Sequence, residues 1–217
     1  MTTTDGEQQP ILWYFADPMC SWCWGFAPVI AEIKHRFADR LRISLNLGGL
    51  RPGTTTPIGE QLREEILQHW REVHQLTGQP FRFENALPEG FIYDTEPASR
   101  AVLTMGRLQP ENTLAYVAAI QAAFYTEGRD VTRAEVLGDL ARAFVVDTAE
   151  FDTLFGSDIL RAQTWEHFKR SRQAGVQGFP TLIWQRGKQI DTLCTGYRPW
   201  PEVKALLEQR LAEPPGP

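Results

Sequence analysis

Ile11-Leu12-Trp13-Tyr14-Phe15-Ala16-Asp17-Pro18-Met19-Cys20-Ser21-Trp22-Cys23-Trp24-Gly25-Phe26 decides the architecture, because a strand pattern gives way to a helix pattern within it and two cysteines sit at the join. Ile11 to Ala16 is short, aromatic and wholly apolar, the pattern of a strand buried on both faces. It stops at Asp17-Pro18. From Met19 onward Trp22, Phe26, Val29, Ile30, Ile33 and Phe37 recur at helical spacing, which predicts a helix of about five turns ending near Phe37, with a kink at Pro28. Leu41, Ile43, Leu45 and Leu47 then alternate with Arg42, Ser44 and Asn46, a strand with one wetter face, halted by Gly48-Gly49. The opening is a βαβ unit whose first βα turn carries Cys20 and Cys23.

Further along, the period changes. Apolar residues spaced by three and four predict helices through Ile58 to Leu76, Ala98 to Leu108, Thr113 to Tyr125, Ala134 to Val145 and Ile159 to Gln173. Gly78-Gln79-Pro80, Pro88-Glu89-Gly90, Gln109-Pro110 and Gly128-Arg129-Asp130 punctuate them, leaving an irregular aromatic loop from Phe81 to Tyr93. Strands return at Thr181 to Trp184 and Gln189 to Leu193 around the turn Gln185-Arg186-Gly187-Lys188. Pro199 then opens a last helix containing Val203, Leu206, Leu207 and Leu211.

Composition narrows the function classes. The 217 residues include 22 Lys and Arg against 27 Asp and Glu, a formal charge of −5, with 42% hydrophobic and 23% charged residues. That is ordinary globular usage, and no basic cluster offers a surface for nucleic acid or anionic lipid. Met1 to Pro10 has neither a basic nor an apolar region of the kind a secretory signal carries, and Leu114 to Tyr125 is too short to span a bilayer, so a soluble cytoplasmic protein is expected. Three cysteines do not make a disulfide scaffold. In a reducing compartment a close pair points to redox catalysis or metal binding.

Zinc needs about four ligands, but Cys194 is isolated and His35, His69, His74 and His167 show no partner spacing, so no metal site is expected. At a helix start, free N–H groups and the positive end of the macrodipole favour a thiolate at Cys20, which makes it the nucleophile. Cys23, one turn inside, is shielded and placed to resolve a mixed disulfide. Asp17, three residues before Cys20, is a tuning group that would oppose the thiolate if its carboxylate lies close; Ser21 is a second. Trp22 and Trp24 bracket Cys23 and are candidates for an apolar substrate platform, with core packing as the alternative. Gly175-Val176-Gln177-Gly178-Phe179-Pro180-Thr181 precedes a strand, where Pro180 is a candidate cis proline presenting the Phe179 backbone to an extended substrate. Cys194 reads as a small apolar residue in a strand.

Taken together, the aromatic strand, the Cys20-Ser21-Trp22-Cys23 turn, the long helical stretch and the Phe179-Pro180-Thr181 loop resemble the DsbA-like family of thioredoxin-fold oxidoreductases, in its cytoplasmic FrnE-type branch. The resemblance implies an α/β thioredoxin-like fold, a central mixed sheet built as βαβ then ββα, with an all-helical insertion. It places the thioredoxin-like domain at 11–56 and 174–212 and the insertion at 57–173, with the last insertion helix a candidate to pack on the sheet and flexible tails at 1–10 and 213–217. It implies Cys20 as nucleophile, Cys23 as resolving thiol and Pro180 as the cis proline of a thiol–disulfide oxidoreductase. No bound cofactor is expected beyond the redox-active disulfide. The partners would be protein thiols or disulfides, glutathione as co-substrate, or a small aromatic substrate, acting on a monomer or homodimer. Ser-Trp between the cysteines departs from the Pro-His of periplasmic members and removes a cation that would stabilise the thiolate, so strong oxidising power is not carried over. Thr95-Glu96-Pro97 also matches, without an assignable role. Two alternatives stand beside this one. A glutathione-dependent isomerase or transferase shares the topology but normally carries Ser in place of the CxxC, and a non-catalytic thioredoxin-like binding or chaperone module would use the aromatics alone.

Overall fold

A computed structural model of the chain describes residues 9–213. Apart from Gln9, Pro10 and Glu213, the expected tails at 1–10 and 213–217 lie outside these residues. Strands β1 (Ile11–Ala16), β2 (Arg42–Leu47), β3 (Thr181–Arg186) and β4 (Gln189–Thr195) form one mixed sheet in the order β2-β1-β3-β4. β2 runs parallel to β1, while β3 is antiparallel to both β1 and β4. The fully apolar β1 therefore takes an interior position, as a strand with no polar face must. β3 runs two residues further into the hairpin than expected, leaving only Gly187 and Lys188 between the strands, and β4 runs two residues further at its far end, to Thr195; Gly187 supplies the positive φ, 59°.

Helix α1 (Ser21–Phe37) begins two residues later than the sequence pattern suggested, with Cys20 as its N-cap. It passes Pro28 as one uninterrupted helix. Pro28 cannot donate to the carbonyl of Trp24, and the Gln79 side-chain amide donates to that carbonyl instead, at 2.8 Å.

The wetter face of β2 holds at the exposed Arg42 and the half-buried Ser44 and is corrected at Asn46. Asn46 is fully buried; its Nδ2 donates to the His167 carbonyl at 3.0 Å and its Oδ1 accepts from Arg170 at 3.4 Å. The covering element is α7 (Asp158–Gln173), which lies along β2. Its His167 accepts the Leu47 N–H on Nδ1 at 3.3 Å, a role that needs a neutral ring, and burial with Arg170 nearby pushes His167 down to about 4.

Between β2 and β3 lie α2 (Glu60–Thr77), α3 (Glu96–Leu108), a 3₁₀ turn (Pro110–Asn112), α4 (Thr113–Tyr125), α5 (Ala134–Arg142), α6 (Thr148–Phe155) and α7; α8 (Trp200–Ala212) follows the hairpin. α4 is buried on its Tyr116, Ile120, Ala123 and Phe124 side. The single helix expected from Ala134 to Val145 stops at Arg142, and α6 was not anticipated. Asp147 starts it by accepting the Ala149 and Glu150 amides at 2.8 and 3.0 Å, an N-cap visible in the sequence as Asp147 with Glu150 three residues on.

The core has two parts. One joins Leu12, Tyr14 and Ala16 of β1 to α1 and α8; the other fills the helical layer and takes in Met19, Trp24 and Leu47 from the βαβ unit. Within the second, Arg100 forms a two-pronged pair with Glu96 at 2.8 and 3.1 Å and stacks over Phe155 at 4.1 Å, so α3 and α6 are joined through a buried guanidinium. Removing one partner strands the other charge out of water. Arg100→Ala should lower unfolding free energy in urea by about 3–5 kcal/mol, well beyond the effect of Arg36→Ala in the exposed Glu32–Arg36 pair.

Candidate active site

The turn from β1 into α1 is tight. The Cys20 amide donates to the Asp17 carbonyl at 3.1 Å, and the Cys20 carbonyl opens α1 by accepting from Trp24 at 3.0 Å. Cys20 is thereby held at the N-cap, where the free amides of the first helical turn surround its side chain. Cys20 is 6% exposed, and its sulfur lies 3.6 Å from the Phe179 carbonyl, to which the thiol donates. The Phe179–Pro180 peptide is cis. The CxxC turn and the Phe179-Pro180 loop, 159 residues apart in sequence, thus meet at one sulfur.

Cys23 sits one turn deeper and is fully buried. Both thiols are free. Burial pushes the Cys23 thiol well above its usual value; the hydrogen bond it gives to the Cys20 sulfur acts in the same direction. Cys23 therefore holds its proton in the resting pair. Cys194, also buried and pushed up by burial, pairs across the hairpin with Leu182 in the same core cluster, as a small apolar strand residue would.

Asp17 is fully buried and ties three segments together. Its carboxylate accepts the Met19 amide at 2.9 Å, the Leu50 amide at 2.7 Å and the Thr95 hydroxyl. The Thr95 hydroxyl oxygen in turn accepts the Arg51 amide at 3.2 Å. Thr95-Glu96-Pro97 thus acquires a role: Thr95 braces the carboxylate beneath the CxxC turn, Glu96 holds Arg100, and Pro97 lies in the first turn of α3. Burial pushes Asp17 up to about 6, against the lowering effect of these hydrogen bonds.

The two tryptophans diverge. Trp24 stacks on Tyr125 with ring centroids 6.2 Å apart and its indole donates to the Pro80 carbonyl at 2.9 Å, so it belongs to the core rather than to a substrate platform. Trp22 stays half-buried beside Tyr197. Ser21 makes no side-chain hydrogen bond among the described residues. Next to Phe179, a crevice of about 250 Å³ is lined by Gly48, Leu50, Arg172 and Gln177. A Cβ on Gly48 would lie 2.1 Å from the Phe179 ring, so only glycine lets that ring close the end of the crevice.

Sequence reasoning missed three hydroxyl residues around the pair. Tyr93 donates to the Met19 carbonyl at 2.5 Å, Tyr125 is fully buried beside it, and Tyr14 stands on β1 beneath α1. The period-two alternation of β1, which puts Tyr14 on one face with Leu12 and Ala16, could have revealed the last.

Asp17 carries a pH signature. Its folded value of about 6 exceeds the 3.8 of an unperturbed carboxyl, so the native state binds this proton more tightly. Its contribution to stability is complete below about pH 3.8 and is lost as pH rises through about 6, a span of roughly 3 kcal/mol. In guanidinium unfolding, the stability of the parent relative to Asp17→Asn should fall by about that amount between pH 4 and pH 7; a constant difference would show that Asp17 titrates normally.

The DSBA-like thioredoxin domain model matches residues 11–208. The chain is similar to a solved protein from Nitrosomonas europaea proposed to be a protein disulfide isomerase, with 45% identity, a TM-score of 0.90, and 94% of this chain covering 98% of that one. It is also similar to the cytosolic disulfide reductase DsbM of Pseudomonas aeruginosa, at 29% identity and TM-score 0.77, with 93% and 98% of the chains covered; DsbM has also been solved with GSH. A curated relative, the ClpXP adapter protein SpxH of Halalkalibacterium halodurans, is 20% identical over 96% of this chain and 70% of its own length. With the family model spanning nearly all the described residues and a solved neighbour sharing 45% identity across them, the chain belongs to the DSBA-like thioredoxin domain family.

Proposed function

We propose that the protein is a cytosolic thiol–disulfide oxidoreductase in which Cys20 attacks, Cys23 resolves, and glutathione or a protein thiol supplies or receives the electrons. The observation that carries this reading is the stacked pair itself: an N-cap thiol with a buried second thiol hydrogen-bonded to it. In the disulfide-reducing direction, the Cys20 thiolate attacks a substrate disulfide and expels one half as a thiolate. Cys23 loses its proton and attacks Cys20 Sγ, forming the Cys20–Cys23 disulfide and expelling the second half. Two glutathiones then return two electrons and leave as glutathione disulfide.

The surroundings support a substrate held at the backbone. The Phe179 amide has no hydrogen-bond partner among the described residues and its carbonyl faces Cys20, so an extended segment could pair with both. Trp22 at the rim offers an apolar contact. The crevice beside Phe179 has Arg172 for a carboxylate and is of a size to take part of a glutathione tripeptide; the DsbM neighbour solved with GSH favours that partner. DsbM's description as a cytosolic reductase, and the absence of a cation between the cysteines, favour the reducing direction. Asp17, held beneath the turn, tunes the pair by disfavouring negative charge at Cys23.

The test is the redox equilibrium of the pair in glutathione buffers, read by thiol alkylation with Cys194 replaced by Ser. A reversible two-electron transition is expected, with a midpoint nearer the thioredoxin value of about −270 mV than the DsbA value of about −120 mV. Cys20→Ser should abolish both the transition and reductase activity. If no intramolecular disulfide forms at any poise, the dithiol reading fails and an adaptor or binding function takes its place.

A further inference from the structure

Tyr14 is 1% exposed, and its hydroxyl is one of the buried polar groups for which the reduced structure provides no satisfied hydrogen bond. A buried hydroxyl without a partner is unusual, and its location decides whether it matters. The alternation of β1 turns Leu12, Tyr14 and Ala16 toward α1, and the Tyr14 ring packs on Phe26 with centroids 6.0 Å apart. Phe26 is one turn beyond Cys23 on the same helix, and Tyr14, Phe26 and both cysteines share one buried cluster. After burial, the side chains that act most on the hydroxyl are Cys23 and then Cys20, both pushing it up.

The charges at Cys23 explain why a neutral donor is needed there. The side chains acting on this sulfur are Cys20 and Asp17, both negative when ionised, and the favourable contribution comes from the Asp17 backbone. No cation joins them. Each catalytic cycle nevertheless creates a Cys23 anion in a fully buried position, where it is least tolerated.

We propose that Tyr14 is a catalytic hydrogen-bond donor to the resolving thiol, its O–H turning to Cys23 Sγ whenever that sulfur carries the negative charge. The inference rests on the oxidoreductase reading and deepens it. When a glutathione thiolate attacks Cys20 Sγ of the oxidised pair, the Cys20–Cys23 bond breaks, a glutathione–Cys20 disulfide forms, and the electron pair of the broken bond moves to Cys23 Sγ. Tyr14 donates to that anion without giving up its proton, because burial holds its hydroxyl well above the usual tyrosine range. A second glutathione thiolate then attacks the mixed disulfide. Glutathione disulfide leaves, the Cys20 thiolate is released, and Cys23 takes up a proton from solvent. In the opposite direction the same donor favours deprotonation of Cys23 for its attack on a mixed disulfide. In the resting reduced pair the Cys23 thiol gives its hydrogen to Cys20, and Tyr14 is left waiting.

The test uses the full chain with Cys194 replaced by Ser. The Cys20–Cys23 disulfide is formed, and its reduction by glutathione is followed by quenched alkylation in parent and Tyr14→Phe proteins, with thermal melts alongside. Loss of a hydrogen bond to a charged sulfur should slow reduction about tenfold. The glutathione ratio at half-oxidation should stay within about twofold of the parent, because Tyr14 has no partner in the resting reduced pair. Site-specific 3-fluorotyrosine at position 14, a more acidic donor of nearly the same shape, should accelerate reduction, and it carries the test if Tyr14→Phe fails to fold. A folded Tyr14→Phe protein that reacts within twofold of the parent, or one whose melting temperature alone changes, overturns the proposal while leaving the dithiol mechanism standing. A parent protein that forms no Cys20–Cys23 disulfide overturns both.

Discussion

The carboxylate of Asp17 is the point from which the rest of the site hangs. It takes one hydrogen bond from the βα turn through Met19, one from the segment after β2 through Leu50, and one from the start of α3 through Thr95. Bonds between Arg51 and Thr95, and from Tyr93 to the Met19 carbonyl, tighten the same junction. A carboxyl buried this deeply costs free energy unless its lone pairs are filled, and here three donors fill them. The cost that remains appears as its raised proton affinity. Because the Cys20 amide also bonds the Asp17 carbonyl, the geometry that satisfies the carboxylate is the geometry that sets the first cysteine at the helix start.

Around that anchor the protein divides the work of redox chemistry between burial and exposure. Cys20 has the helix terminus and a sliver of solvent; Cys23 has burial, which keeps its proton on until the pair reacts. Phe179 closes the site from the other end of the sequence, and its fit depends on the missing side chain at Gly48. A single methyl there would collide with the ring that borders the crevice. Tyrosines from β1, from the aromatic loop and from α4 complete the wall, so the helical layer contributes to the site rather than merely covering the sheet.

Much of this was legible in the chain, for identifiable reasons. A wholly apolar β1 can only be interior, a CxxC at a strand-to-helix junction can only sit near a helix start, and the spacing of the final strands allows little but a hairpin. What stayed hidden depends on partners distant in sequence. Asn46 read as a wet position because alternation cannot see that α7, 120 residues later, will cover it. Thr95 carried no local pattern that marks it as the brace of a carboxylate 78 residues earlier. At Pro28 the lost helical hydrogen bond was visible in the sequence, and its compensation, the side chain of Gln79, was not. The short α6 was the exception: its Asp147 cap stood in the sequence and was outweighed by the longer periodic run before it.

Trp24 links the two cores in a way that bears on how the molecule comes apart. Its carbonyl, orphaned by Pro28, is satisfied by Gln79, and its indole N–H by the Pro80 carbonyl, so one residue beside the resolving thiol gives both its polar groups to the loop after α2. Any opening of that loop strips two buried groups at once, both on the residue that follows Cys23. Opening of the loop and disturbance of the helix start around the dithiol are therefore coupled, as parts of one cooperative unit. A molecule that loosens in this region loses its chemistry with its shape, instead of persisting as a half-folded thiol open to overoxidation.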